Sequence, residues 1–310
     1  MNKSDYGSGM LNRINTPWVE RKGFSHWGMS LLWLVFVFLT SQVVVLVVTV
    51  AVLYATGAVS TAEELITATQ TRLDVLFIGN SVGQIFVMGL ASLLIAGLHT
   101  GTETKLEFLR MKWHKDTVSY MVLGGILILV IQPTVMFLGY LNSFLPTPEF
   151  LEQLHRSQYE MFEEYLSSDG VLLIGLFHIA VVPAFAEEVL FRGYVMRAFE
   201  KSAGIVAALI ISSLIFSLFH LQLTNILPLA TLGAVMGLVT WLSGSIWPAA
   251  VAHFVNNGSA VIMGTIWPDR AFAEITPELL PPVWVRVLSI VLSGVLIKVL
   301  YSKSNFQLKT

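Results

Sequence analysis

The chain has 310 residues, of which 55% are hydrophobic and only 12% charged, with a formal net charge of -2; its mean hydropathy is +0.73. An ordinary soluble domain carries about 25% charged residues, so this composition excludes a soluble globular enzyme, a disordered chain and a nucleic-acid binder, and leaves an integral membrane protein. The sequence has no cysteine, which excludes disulfides, thiolate nucleophiles and zinc–thiolate sites and leaves any chemistry to carboxylates, imidazoles, hydroxyls or amides.

A polar, basic stretch of about 25 residues comes first. The apolar run behind it is far longer than a 7–15-residue signal core, so a first membrane span is expected rather than a cleaved leader. Runs of about 20 apolar residues, the length that crosses a ~30 Å hydrocarbon layer, are expected at 29–54, 75–98, 118–141, 171–199, 204–221, 226–242, 246–266 and 283–301. Pro133 and Pro183 should kink the third and fourth. Residues 148–168 set Phe150, Leu151, Leu154, Met161, Phe162 and Leu166 among five glutamates, the pattern of an amphipathic helix lying at the membrane interface. Gly79 with Gly83, and Gly233 with Gly237, predict close helix packing, as does the polar pair Asn80 and Gln84. Trp18, Trp27, Trp247, Trp267 and Trp284 fall near span ends, where interfacial anchors belong.

Cytoplasmic loops are enriched in lysine and arginine. With the N-terminus inside, that side collects Lys3, Arg13, Arg21, Lys22, Lys105, Arg110, Lys112, Lys115, Arg192, Arg197, Lys201, Lys298, Lys303 and Lys309, and only Arg72, Arg156, Arg270 and Arg286 fall outside. The expectation is therefore an all-α, polytopic membrane protein of about eight transmembrane helices with both termini cytoplasmic, forming one membrane domain, 1–310.

A charged side chain at mid-membrane is costly enough to be a functional candidate by default. Three clusters qualify: Glu187, Glu188 and Arg192 in AEEVLFRG, Phe216 and His220 in FSLFH, and His253, Asn256 and Asn257 in HFVNN. Glu188 and Arg192 are spaced i,i+4, the favourable order for an ion pair. Glu187 projects about 100° away from Glu188 and is free to face another partner. If the fourth and fifth spans turn back near Ala203, Glu187 and His220 both stand about 25 Å from the turn and are level. His253, about 10 Å into its span, is expected at the same level, and the site is expected to open toward the cytoplasm. His178, nine residues before Glu187, is expected on the opposite helix face in a structural role.

EEVLFR, FSLFH and HFVNN match EExxxR, FxxxH and HxxxN in order, each on an apolar span. In this the sequence resembles the CPBP family of intramembrane proteases, which includes the CAAX prenyl endopeptidases and the Abi-type bacteriocin-immunity proteins. The resemblance covers roughly 171–263 as the catalytic core, leaving 1–170 as variable N-terminal spans. It implies an endopeptidase in which Glu187 is the general base, His220 shares and orients a water, and His253 and Asn257 stabilise the oxyanion. Glu188, Arg192 and Phe216 take supporting places. It also implies a membrane-associated substrate, up to a prenylated CAAX-type chain, in contact with membrane lipids and no nucleic acid.

Two readings stay beside this one. Glu187, Glu188, His220 and His253 offer zinc enough ligands for a metalloprotease. No HExxH motif is present, and the metal-free mechanism is preferred. A transporter or non-catalytic immunity protein would use the same cluster as an ion relay. A relay predicts ionisable residues strung through the membrane depth, whereas the first three spans hold none in their interiors. The expected setting is a bacterial inner membrane.

Overall fold

In a computed structural model that describes residues 15–304, the chain is all-helical, with no strand among the described residues. Lys3, Arg13 and Lys309, which entered the charge count, lie outside them. The principal helices are α1 (His26–Ala55), α2 (Leu73–Leu98), α3 (Thr117–Val130), α4 (Gln132–Asn142), α5 (Glu149–Leu166), α6 (172–203), α7 (205–219), α8 (Ile226–Ser243), α9 (Trp247–Ile266) and α10 (Val283–Lys303). The outward faces of α1 and α10 are apolar and bare: Leu32, Val35, Val283 and Ile290 are each about 60% exposed. Apolar area on that scale is stable only against lipid.

By length and apolarity, five helical stretches qualify as membrane spans: α1, α2, Leu172–Phe219, Leu223–Ser243 and α10. The pair α3 and α4, bent by 45° across Ile131, makes a sixth if it is one span. That bend is the kink expected from Pro133. The stretch Leu172–Phe219 runs 48 residues and cannot be one straight rod. Straight, it would hold Glu187 and His220 about 50 Å apart, yet their side chains approach to 4.0 Å. The chain reverses at Gly204, whose φ of 78° and ψ of 172° are non-helical, so α6 and α7 form the hairpin expected near Ala203. The expected kink at Pro183 takes a different form, because π-helical turns at Leu176–Val181 precede the proline and Val182–Glu188 continues the helix beyond it.

The main core centres on α6. Every side chain from Val189 to Met196 is buried, against Leu127 and Ile128 of α3, Val239 of α8 and Ala249 of α9. Close packing follows the small residues: a Cβ on Gly79 would meet the Val45 carbonyl at 2.8 Å, and one on Gly233 would meet Ser213 Cα at 3.2 Å.

The bundle has two chemically distinct ends. At one, Arg197 Nε donates to the Phe108 carbonyl (3.1 Å), the Ile246 amide to the Arg110 carbonyl (2.9 Å) and Trp247 Nε1 to the Met111 carbonyl (3.0 Å). This end gathers the lysines and arginines of 105–115 and 197–201 and is called the basic end. At the other, Tyr159 donates to the Ala271 carbonyl (3.2 Å) and Asn142 to the Leu223 carbonyl (2.9 Å). There α5 forms the expected amphipathic helix, with Tyr165 and Leu166 buried and its glutamates outward. This is the acidic end.

Candidate active site

The site is built where α6, α7 and α9 meet. Glu188, fully buried, accepts hydrogen bonds on Oε1 from Arg192 Nη1 (3.0 Å) and His253 Nδ1 (2.9 Å). Arg192 is held in turn by the Gly233 carbonyl (3.2 Å) and lies 4.4 Å over the Phe216 ring. The missing side chain at Gly233 is what lets α8 come close enough to α7 to offer that carbonyl. The i,i+4 pair expected from sequence is thus made, and His253 joins it.

Glu187, one residue earlier, points elsewhere, as its 100° offset requires. Its Oε2 is buried, has no hydrogen-bond partner, and stands 4.0 Å from both His220 Nε2 and His253 Nε2. Most buried carboxylate oxygens are satisfied, because leaving one bare costs about 1–3 kcal/mol. A bare oxygen facing two imidazoles is the strongest chemical feature of the chain.

The tautomers follow from the outer partners. His220 Nδ1 lies 2.8 Å from the Phe216 carbonyl, which only accepts, so Nδ1 carries the hydrogen and Nε2 presents a lone pair to Glu187. His253 Nδ1 likewise donates to the Glu188 carboxylate. Its Nε2 donates only in the imidazolium form. His220 is the residue after the last turn of α7, so the loop 220–225 begins at the level of Glu187, inside the bundle. That loop is anchored by Gln222 on Gln158 (3.0 Å) and by Asn225 on His155 (3.1 Å) of α5.

Glu187, His220 and His253 line a cavity of about 1290 Å³. Its deep wall includes Phe216 and Met236; its outer wall includes Tyr159, Asp269, Arg270 and Leu279, so it runs from mid-bundle to the acidic end. The expected opening toward the cytoplasm therefore conflicts with the expected orientation. The cavity opens at the end opposite the one that gathers the lysines and arginines, which is the end the expected orientation puts in the cytoplasm. The helix arithmetic had placed the residues level but held no information about which end the packing closes.

Asn257 lies on the same wall. Its Nδ2 donates to the Ile179 carbonyl (2.8 Å) and its Oδ1 accepts from Asn256 (3.0 Å), while Gln132 Nε2 donates to Asn256 Oδ1 (2.9 Å). Asn256 therefore links α9 to α4. His178 donates to or accepts from Ser81 Oγ (2.6 Å), a structural contact, but it also lines the cavity. The opposite-face expectation fails because the π-helical turns at Leu176–Val181 shift the side-chain register relative to a regular α-helix. Sequence reasoning missed Gln132, His155, Gln222 and Asn225 on the cavity wall. Gln132 had a usable signal, being a lone polar residue beside a helix-breaking proline.

Zinc fits this donor set poorly. Tetrahedral ligands about 2.0–2.1 Å from zinc lie roughly 3.3 Å from each other, and Glu187 Oε2 is 4.0 Å from each imidazole. Glu188 Oε1 is already taken by Arg192 and His253, while its buried Oε2 has no hydrogen-bond partner. Among the described residues, no group of three or more His, Asp or Glu is spaced to hold a metal ion.

No curated protein and no solved structure matches the chain. Residues 169–259 match a family model, Type II CAAX prenyl endopeptidase Rce1-like. The matched segment contains EEVLFR, FSLFH and HFVNN whole and covers somewhat under a third of the sequence. The resemblance carried by the three motifs is thereby borne out, and it points to a protease of the CAAX type in an integral membrane protein. Over residues 169–259, this chain is similar to the Rce1-like family of type II CAAX prenyl endopeptidases.

Proposed function

We propose that the chain is an intramembrane endopeptidase that hydrolyses a peptide bond of a membrane-associated polypeptide with a water activated by Glu187 and His220. The observation that carries this reading is the bare, buried Oε2 of Glu187, 4.0 Å from two imidazole Nε2 atoms. With hydrogen bonds of about 2.8 Å, one water bonds both Glu187 and His220 across that separation. Glu187 takes a proton from the water as the oxygen attacks the scissile carbonyl carbon. The tetrahedral oxyanion is met by Asn257 Nδ2 and by His253, the latter as imidazolium with Glu188 holding its Nδ1. Glu187 then returns the proton to the departing amine as the carbon–nitrogen bond breaks. Arg192 holds Glu188 in place against His253.

In this reading the bundle has eight spans and cytoplasmic termini, with the hairpin arms α6 and α7 counted separately and α9 included despite its histidine and two asparagines. The membrane is a bacterial inner membrane.

The test is cleavage of prenylated and unprenylated membrane peptides by the purified protein. Glu187→Gln and His220→Ala should each lose roughly 10²–10⁴-fold in kcat, and Asn257→Ala about 10²–10³-fold, with the thermal midpoint of Glu187→Gln unchanged in detergent. A chelator should leave the rate unchanged. Retained cleavage in Glu187→Gln sinks the mechanism, and chelator inhibition reversed by zinc overturns its metal-free form.

A further inference from the structure

The basic end, where the candidate active-site cavity is closed, holds a second cavity of about 550 Å³, walled by the N-terminus of α3 and the C-termini of α8 and α10. That volume falls within the roughly 300–1,000 Å³ of small-ligand sites. Four cations of this end are paired with carboxylates: Arg110 and Arg197 with Glu200 (2.9 and 2.6 Å), Lys112 with Glu107 and Lys201 with Glu103. Lys115 and Lys303, far apart in sequence, instead line the second cavity and make no ion pair or hydrogen bond among the described residues. Tyr120 lines it too. Its side chain is only 4% exposed, yet its hydroxyl has no hydrogen-bond partner among the described residues. Buried hydroxyls are mostly satisfied, so a bare one beside two unpaired ammonium groups marks a place for the oxygens of a ligand. Asp116 is the one acid on the wall, beside His114; two lysines against one carboxylate leave a single positive charge. The helices around the cavity also face lipid. α3 and α10 pack together, and Val118, Val122 and Val295 on them are each more than half exposed, as is Trp113 at the cavity edge, where an interfacial aromatic belongs.

We infer that this second cavity binds the headgroup of an anionic glycerophospholipid, its phosphate on Lys115 and Lys303 and its acyl chains along the apolar faces of α3 and α10. A phosphodiester carries one negative charge and matches the single surplus positive charge of the wall. The Tyr120 hydroxyl donates to a phosphate or ester oxygen, and Asp116 accepts from headgroup hydroxyls. A glycerol headgroup meets that demand; a choline headgroup offers no donor and cancels the charge. Basic pockets between membrane helices hold phospholipid headgroups by the same chemistry. The inference does not depend on the hydrolase reading above.

The test is native mass spectrometry of the full chain in detergent, titrated separately with phosphatidylglycerol, with phosphatidylcholine of the same acyl chains, and with glycerophosphoglycerol, the headgroup without chains. For the first lipid bound, wild type should prefer phosphatidylglycerol to phosphatidylcholine about tenfold. Glycerophosphoglycerol should bind at least about a hundredfold more weakly than the whole lipid, having no chains to bury. Lys115→Gln combined with Lys303→Gln should bring the preference close to one, and Lys115→Arg combined with Lys303→Arg should keep it. Arg21→Gln combined with Lys22→Gln removes the same charge away from the cavity and should leave the preference within about twofold of wild type. Tyr120→Phe should weaken phosphatidylglycerol about fivefold and leave phosphatidylcholine unchanged. No preference in wild type overturns the inference, as does a preference that survives the double glutamine variant, is lost in the double arginine variant, or falls as far in the Arg21 and Lys22 variant. Equal affinity for glycerophosphoglycerol and phosphatidylglycerol would make this a site for free phosphate esters and overturns the lipid assignment. Binding is read without turnover, so its failure and the failure of peptide cleavage in the hydrolase assay are separate results.

Discussion

Two adjacent glutamates take opposite fates because one step along a helix turns a side chain by about 100°. Glu188 is neutralised by Arg192 and bonded by His253 in the interior, while Glu187 faces the cavity without a partner. Removing one member of a buried ion pair strands the other, at a cost of about 3–5 kcal/mol, whereas replacing both with apolar or neutral groups of similar volume is often close to neutral. Arg192→Met should therefore lower the thermal midpoint in detergent sharply, and Glu188→Gln combined with Arg192→Met should recover much of that loss. The double variant should still cleave poorly, since His253 loses the carboxylate that orients its ring. If the double variant is no more stable than Arg192→Met, the pair is not the unit described here.

At the scale of elements, the hairpin of α6 and α7 puts Glu187 beside His220, and it turns on one residue. Gly204 has φ 78° and ψ 172°, a conformation open essentially to glycine alone and worth about 1–3 kcal/mol of strain to any other residue. Nothing lies within 4 Å of a Cβ built there, so the cost of Gly204→Ala is backbone strain and not a clash. The substitution should destabilise by that amount and weaken cleavage. Gly294→Ala, equally free of neighbours but inside α10, should leave stability unchanged or slightly raised; equal losses at both positions would mean that the turn is not the cause. Much of this level was legible in the sequence. Apolar run length gave the helices, proline the α3–α4 bend, and spacing from the turn the shared depth of Glu187 and His220. The π-helical turns at Leu176–Val181 were not legible, because a register shift leaves no mark on apolar periodicity, and His178 was misplaced in consequence. The polar lining from α5 and the 220–225 loop was hidden for another reason. His155, Gln222 and Asn225 look like ordinary surface residues until packing turns them inward.

For the molecule as a whole, the closed end carries a directional chain of hydrogen bonds through buried polar side chains. His26 Nε2 donates to the Glu20 carboxylate (3.0 Å), which leaves His26 Nδ1 to accept from His99 Nδ1 (2.9 Å) and His99 Nε2 to accept from the Tyr194 hydroxyl (2.8 Å). Every link is satisfied with both histidines neutral. Burial, with His26 and the Lys201 ammonium adding to it, holds the His99 imidazole down at about 3, against an ordinary 6.5. A histidine whose folded value is depressed binds its proton more readily in the unfolded chain. Its contribution to stability is thus full above pH 6.5 and is lost as pH falls from there toward 3. Over that window the unfolding free energy should drop by on the order of 1.4 kcal/mol per pH unit from this group. His99→Gln, which cannot take up a proton, should be less stable than wild type at pH 7.5 and should show a flatter decline in thermal midpoint between pH 6.5 and 4. Parallel declines in the two proteins would locate the acid sensitivity elsewhere. Because the open end holds the candidate catalytic groups and the closed end this chain, cleavage and acid stability should respond to different substitutions: Glu187→Gln should leave the pH dependence of unfolding steep, and His99→Gln should leave kcat at pH 7.5 within a few-fold of wild type.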